Sequence, residues 1–139
     1  MLYKQNQSYE LDEKLFKNPT SEYRAAPFWA WNCKLNKDIL NEQIDIFKKM
    51  GFGGFHMHSR IGMSTPYLKD EFMGLIKFCT QKAEQENMLA YLYDEDRWPS
   101  GSAGGYVTKT HKYRQRYLIF SQNSREHFSL DEAINSSKD

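Results

Sequence analysis

Long apolar runs are missing from this sequence. Nowhere do about eighteen consecutive apolar residues occur, the length a helix needs to cross a bilayer, and residues 1–14 are polar, without the apolar centre of a secretion signal. An excess of one charge is missing as well: 19 Lys and Arg stand against 18 Asp and Glu, a formal net charge of +1. Nothing global therefore steers the chain to nucleic acid or to an anionic membrane surface. Cysteine is scarce, and Cys33 and Cys79 form neither a CxxC nor a zinc spacing. Neither argues for an oxidising compartment, so a cytoplasmic address is expected. Glycine is absent from Asn32-Cys33-Lys34-Leu35-Asn36, which follows the first apolar run, and this removes the GxGxxG loop of a dinucleotide fold. The glycine-rich stretch 99–105 lacks the Lys-Ser/Thr that closes a phosphate-binding P-loop.

What is present is an alternation of short apolar runs and helical stripes. Pro27-Phe28-Trp29-Ala30-Trp31 reads as a strand. Asn36 offers an N-cap, Leu40, Ile44, Phe47 and Met50 keep helical spacing, and Gly51 supplies the stop, which predicts a helix over 37–50. Gly53-Gly54-Phe55-His56-Met57-His58 predicts a second strand. Leu68, Phe72, Leu75, Ile76, Cys79 and Ala83 draw the apolar stripe of a second helix over 68–86, with Cys79 as a small core residue. Residues 88–94 predict a third strand, apolar on both faces and hence buried. Cys33 lies after the first strand and reads as an exposed thiol. Strands and helices in this order are βαβ units, whose strands run parallel. The fold class expected is α/β, a partial (β/α)8 TIM-type barrel of about three parallel βα units over 25–112. Residues 1–24 show no periodicity and read as an irregular arm. Residues 113–120 have the β propensity of one more strand, and the polar remainder to 139 reads as weakly ordered.

The densest chemistry lies at 93–105, where Asp94, Glu95, Asp96, Arg97 and Trp98 follow an apolar run and precede a glycine-rich loop. The plain alternative is a solvated turn, since turns favour Asp, Gly and Pro. In a parallel α/β sheet the strands' carboxyl ends meet on one side, and chemistry collects there. Trp31 and Asn32 end the first strand, His56, His58 and Arg60 the second, and Asp94, Glu95, Arg97 and Trp98 the third. Aromatic plates beside carboxylates, an amide and arginines suit a sugar ring, whose C–H face packs on an aromatic and whose hydroxyls need donors and acceptors. Trp29, two residues earlier, reads as core; Trp31 reads equally as core or mouth. His56 and His58, at i and i+2 of a strand, point the same way and with the adjacent carboxylates present a metal-dependent, amidohydrolase-like alternative. The carboxylate spacing is not that of an EF-hand. The glycine-rich loop reads either as an active-site loop with its own backbone donors or as a linker.

Four motifs in register carry a resemblance: Pro27-Phe28-Trp29-Ala30-Trp31-Asn32, Gly53-Gly54-Phe55-His56-Met57-His58-Ser59-Arg60, Thr65-Pro66-Tyr67-Leu68, and Tyr93-Asp94-Glu95-Asp96-Arg97-Trp98-Pro99-Ser100-Gly101. Together they resemble the N-terminal part of the catalytic barrel of bacterial glycoside hydrolases such as the family 106 α-L-rhamnosidases. That resemblance implies a (β/α)8 barrel, a carbohydrate ligand and hydrolysis by two carboxylic residues on later strands. Some relatives depend on calcium, a dependence that assigns no residue here; no other cofactor and no protein metal ligand is expected. A complete barrel takes about 250 residues, so the 139-residue chain reads as a truncated or partial catalytic domain, or as a non-catalytic sugar-binding remnant. In that case Trp31, Asn32, His56, His58, Arg60, Asp94, Glu95, Arg97 and Trp98 bind substrate rather than cleave it. Open sheet edges then favour self-association or packing with the rest of a barrel.

Overall fold

Local signals in the sequence set the ends of the elements. In the computed structural model, which describes residues 9–10, 12–97, 101, 103–116 and 118, Asp12 caps a short helix α1 (Glu13–Lys17) by accepting from the backbone N–H groups of Lys14 and Leu15 at 2.9 and 3.1 Å. This turn and a 3-10 turn at Ser21–Tyr23 give the described part of the N-terminal arm local structure where periodicity offered none. Strand β1 (Phe28–Trp31) leads to α2 (Lys37–Lys49). Its N-cap Asn36 accepts from Asp38 and Ile39 N–H at 2.9 and 3.1 Å. Lys48 and Lys49 occupy the last turn, where the helix dipole favours cations, and Gly51 takes a left-handed φ of +84° just beyond it. Strand β2 (Gly54–Ser59), helix α3 (Asp70–Gln85) and strand β3 (Leu89–Leu92) complete the alternation.

The sheet is three-stranded and parallel, in the order β1-β2-β3. Its register aligns Phe28 with His56 and Tyr91, and Trp29 with Met57 and Leu92. Because strand side chains alternate, Trp29, Trp31, Phe55 and Met57 share one face, and these four pack with Leu40 and Ile44 of α2 and with Phe72, Leu75, Ile76, Cys79 and Ala83 of α3 in one core. The rings meet edge-on: Trp29 lies 5.5 Å from Trp31 and 5.2 Å from Phe55, and Trp31 lies 5.9 Å from Phe72, the geometry that ring quadrupoles favour. Between the helices, Lys82 Nζ sits 2.9 Å from both Asp45 and Glu86, and Lys48 also pairs with Glu86.

Two glycines at the start of β2 let neighbouring backbones close in. A Cβ on Gly53 would run into the Ser21 carbonyl, and one on Gly54 into the Leu89 carbonyl. The arm is thereby held against the strand: Gly53 N–H donates to Ala25 O at 2.9 Å, and Ser21 Oγ donates to Asn87 O.

The parallel strands, helices and caps agree with the sequence reading; a three-stranded sheet is what part of a barrel supplies, and no closed barrel is formed by these residues. The third strand departs from the reading. It is the edge strand of the sheet, and Leu92, although aligned with Met57 and Trp29, is 50% exposed, because among the described residues no further strand pairs with β3. Tyr113 falls in a 3-10 turn (His111–Tyr113), and residues 114–116 and 118 are in no strand either; residues 117 and 119–139, which hold the remainder of the expected strand and the tail, lie outside the described residues. Among the described residues no helix is long and apolar enough to cross a membrane.

Candidate functional site

Parallel strands bring their carboxyl ends to one side, so Asn32, Arg60 and residues 93–97 gather at the same end of the sheet. The Arg60 N–H donates to the Trp31 carbonyl at 3.0 Å and the Tyr93 N–H to the Met57 carbonyl at 3.0 Å, which fixes these ends side by side. The same alternation that buries the tryptophans turns Phe28, His56, His58, Tyr91 and Tyr93 to the open face. There they form flat pairs. His56 stacks on Tyr91 with centroids 4.5 Å apart and an interplanar angle of 14°. His58 stacks on Tyr93 at 3.7 Å and 16°, and Phe28 covers it from the β1 side at 4.3 Å. Arg60 places its guanidinium 5.8 Å from the centre of the Phe28 ring. Ala26, Phe28, His56, His58, Leu92 and Tyr93 line a shallow concavity of about 430 Å³.

The electrostatics follow from this packing. His58 is buried, and burial pushes its pKa below the ordinary 6.5, with Arg60 acting in the same direction while the Ser59 carbonyl and Glu95 oppose. Its Nδ1 lies 3.0 Å from Ser59 O. The Tyr93 hydroxyl donates to Glu95 Oε2 at 2.5 Å. That hydrogen bond chiefly, then burial and the charges of Glu95 and Asp94, raises the tyrosine's pKa above 10. Tyr67, packed on Phe72 and donating from its hydroxyl to Asp94 O at 2.9 Å, anchors the backbone under the same loop. Burial and the nearby carboxylates raise its pKa too.

Several expected site residues sit elsewhere. Trp31 is 2% exposed and belongs to the core; it shares the parity of Trp29, so it faces the helices and not the mouth. Arg97 is committed to protein contacts. It adopts a left-handed φ of +67°, lies 3.4 Å from Asp96 Oδ1 through Nε and donates from Nη2 to Met63 O at 3.4 Å. Asp96, 2% exposed, accepts the Gly104 N–H on Oδ2 at 2.9 Å. Asp96 thus ties down the glycine-rich loop at Gly104, which has a φ of +66°. Trp98 lies outside the described residues. Asn32 is exposed, as is Asp94. His56 and His58 share a face, as their spacing anticipates, but each is stacked on a tyrosine. Among the described residues no three His, Cys, Asp or Glu side chains gather as a metal site.

Phe28, Tyr91 and Tyr93 were absent from the expected site. The signal was available: a period of two through Tyr91 and Tyr93 matches the period through His56 and His58, and neighbouring strands place such alternating sets on shared faces. What the sequence could not supply was the register itself.

No protein-family model and no curated protein matches the sequence. Among solved structures, the fold is similar to part of a rhamnosidase from Novosphingobium sp. PP1Y, at a TM-score of 0.51 and 21% sequence identity. The match covers 62% of this chain and 9% of that one. A likeness at this identity concerns the fold; this chain spans a small part of the rhamnosidase.

Proposed function

We propose that this chain forms the first βα units of a glycoside hydrolase-type barrel, and that the carboxyl end of its sheet binds a carbohydrate, such as an α-L-rhamnoside. One observation carries the reading: the ring platform of Phe28, His58 and Tyr93 is bordered by the charged ends of Arg60, Glu95 and Asp94. A pyranose has a C–H face that is stabilised on aromatic rings and a rim of hydroxyls that needs donors and acceptors. Arg60 supplies donors, Glu95 and Asp94 acceptors, and Asn32 both. The rhamnosidase-like fold supports the same reading at the level of architecture.

In this reading the described residues bind and do not cleave. Glycosidic hydrolysis needs two carboxyl groups placed on opposite sides of the bond. Glu95 and Asp94 are sequence neighbours on one strand end, Asp96 is committed to the loop, and the opposing group belongs to later strands of a barrel. The outer edges of β1 and β3 are where neighbouring βα units would pair, so the chain alone self-associates or recruits such units.

Titration of the full chain with L-rhamnose and methyl α-L-rhamnoside, followed by calorimetry or NMR, tests the binding. Saturable binding that perturbs Phe28 and Tyr93 is expected, together with no turnover of aryl α-L-rhamnosides. Binding to no member of a panel of neutral monosaccharides would sink the reading. Turnover abolished by Glu95→Gln would make Glu95 catalytic and overturn the binding-only assignment.

A further inference from the structure

We propose that His58 serves this sugar site as a neutral hydrogen-bond acceptor, its Nε2 receiving a ring hydroxyl, and that Tyr93 positions both His58 and Glu95. The inference rests on the carbohydrate reading above and adds to it which atom reads the ligand and what class of sugar is preferred.

The tautomer follows from one contact. Nδ1 lies 3.0 Å from the Ser59 carbonyl oxygen, and a carbonyl only accepts, so Nδ1 carries the proton. A neutral imidazole protonated there leaves Nε2 as a bare acceptor. None of the described residues gives Nε2 a hydrogen bond, and the ring lines the concavity. The neutral state is favoured by the surroundings: the side chain is buried between Phe28 and Tyr93, and Arg60 is the nearby cation, while Glu95 is the nearby anion that opposes.

Tyr93 touches both partners at once. Its ring lies nearly parallel to the imidazole at 3.7 Å, which fixes the imidazole plane, and its hydroxyl holds Glu95 Oε2. The outcome is a pair of acceptors, one neutral and one anionic, both in contact with one side chain. Two adjacent hydroxyls on a neutral ring can donate to such a pair. With two carboxylates, Glu95 and Asp94, against the one cation Arg60, the rim is net anionic and repels a sugar acid. The site therefore favours neutral over anionic sugars.

The wild-type chain tests the tautomer without any substitution. Long-range 1H–15N spectra at pH 7 are expected to show His58 protonated at Nδ1 and bare at Nε2, with the Nε2 resonance moving as L-rhamnose is added. A proton on Nε2, or a doubly protonated ring, overturns the inference. His58→Phe keeps a stacking ring and removes the acceptor, with an expected loss in affinity for L-rhamnose of about tenfold; His58→Gln returns an acceptor near the same position and recovers part of it. Tyr93→Phe keeps the stack and removes the hydroxyl that holds Glu95 Oε2, so affinity falls while the His58 tautomer persists, whereas Tyr93→Leu disturbs both. A purely structural Tyr93 would leave affinity unchanged in Tyr93→Phe. D-galacturonate is expected to bind more weakly than L-rhamnose. If L-rhamnose perturbs Phe28 and Tyr93 but leaves Nε2 unmoved, or if His58→Phe binds like the wild type, this inference falls and the carbohydrate reading stands. If L-rhamnose and the other neutral sugars perturb no residue of the face, both fall.

Discussion

The two faces of one small sheet differ sharply in chemistry. On the covered face, Trp29, Trp31, Phe55 and Met57 are all under a tenth exposed and meet the helices through apolar contacts. On the other, Phe28 is 56% exposed and the neighbouring positions carry imidazoles and phenols in flat stacks. The residues interleave one by one along the same strands. A strand of four to six residues thus does two jobs: alternate positions hold the fold together and the positions between them build the open face, so a substitution on one face should leave the other face's property largely alone.

The strongest test of that separation uses the thiols. Cys33 is exposed, while Cys79 is fully buried in α3 and burial pushes its pKa up to about 12. Since only the thiolate reacts and Cys79 must first be uncovered, Cys33 should be alkylated at least about a thousandfold faster under native conditions. Mass spectrometry of a time course with iodoacetamide measures this; equal rates would mean that the covered face opens freely.

Next in size is a pair of matched truncations. Phe55→Ala should lower stability by about 3–5 kcal/mol through lost burial and a residual cavity. Phe28→Ala should cost about 1 kcal/mol or less, since half of that ring is already in water. Urea unfolding gives both values, and comparable losses would erase the distinction between faces.

A smaller effect probes the loop at the mouth. Asp96→Ala removes the acceptor of the Gly104 N–H and leaves Arg97 Nε without its ion-pair partner, an expected loss of roughly 2 kcal/mol. Amide exchange should quicken at Gly104 while the core strands keep their protection.

The smallest effect is the pH response of the helix–helix ion pairs. Hydrogen bonds from Lys48 and Lys82 pull Glu86 from an ordinary 4.5 down to about 2. A carboxylate with a depressed folded pKa contributes fully above 4.5, and the contribution is lost as pH falls from there towards 2. Hydrogen bonds to Asp45 first and to Glu86 second raise Lys82 above 10.5, so its contribution is full below 10.5 and lost as pH rises beyond. Glu86→Gln should flatten the acid limb of a melting-temperature profile, and 1 M salt should shrink the difference.

Much of the scaffold was legible because its signals are local. Asn36 and Gly51 mark the ends of α2 by hydrogen bonding and backbone conformation, and the stripe from Phe72 to Ala83 marks the buried side of α3. The site was legible only in outline. The carboxyl ends of three runs identified Asn32, His58, Arg60, Asp94 and Glu95 as neighbours, since parallel topology alone brings those ends together. Trp31 was open to misreading because position along a strand suggested the mouth whereas parity decided for the core. Arg97 and Asp96 could not be assigned from sequence: their partners, Met63 and Gly104, are set by a loop in which Arg97 takes a left-handed conformation. The β3 edge was equally hidden, as the apolarity of Leu89 to Leu92 fits a strand covered on either face.

The edge-on contact of Trp29 and Trp31 has an optical consequence. Two indoles held 5.5 Å apart at 79° have electronically coupled transitions in a fixed chiral arrangement, a source of strong circular dichroism that vanishes once the rings tumble independently. Near-ultraviolet signals are those lost when specific packing melts while secondary structure persists. The pair therefore acts as a built-in reporter of whether β1 is seated under its helices, and it looks away from the stacked imidazoles, so a substitution on the far side can be checked against it for an intact core.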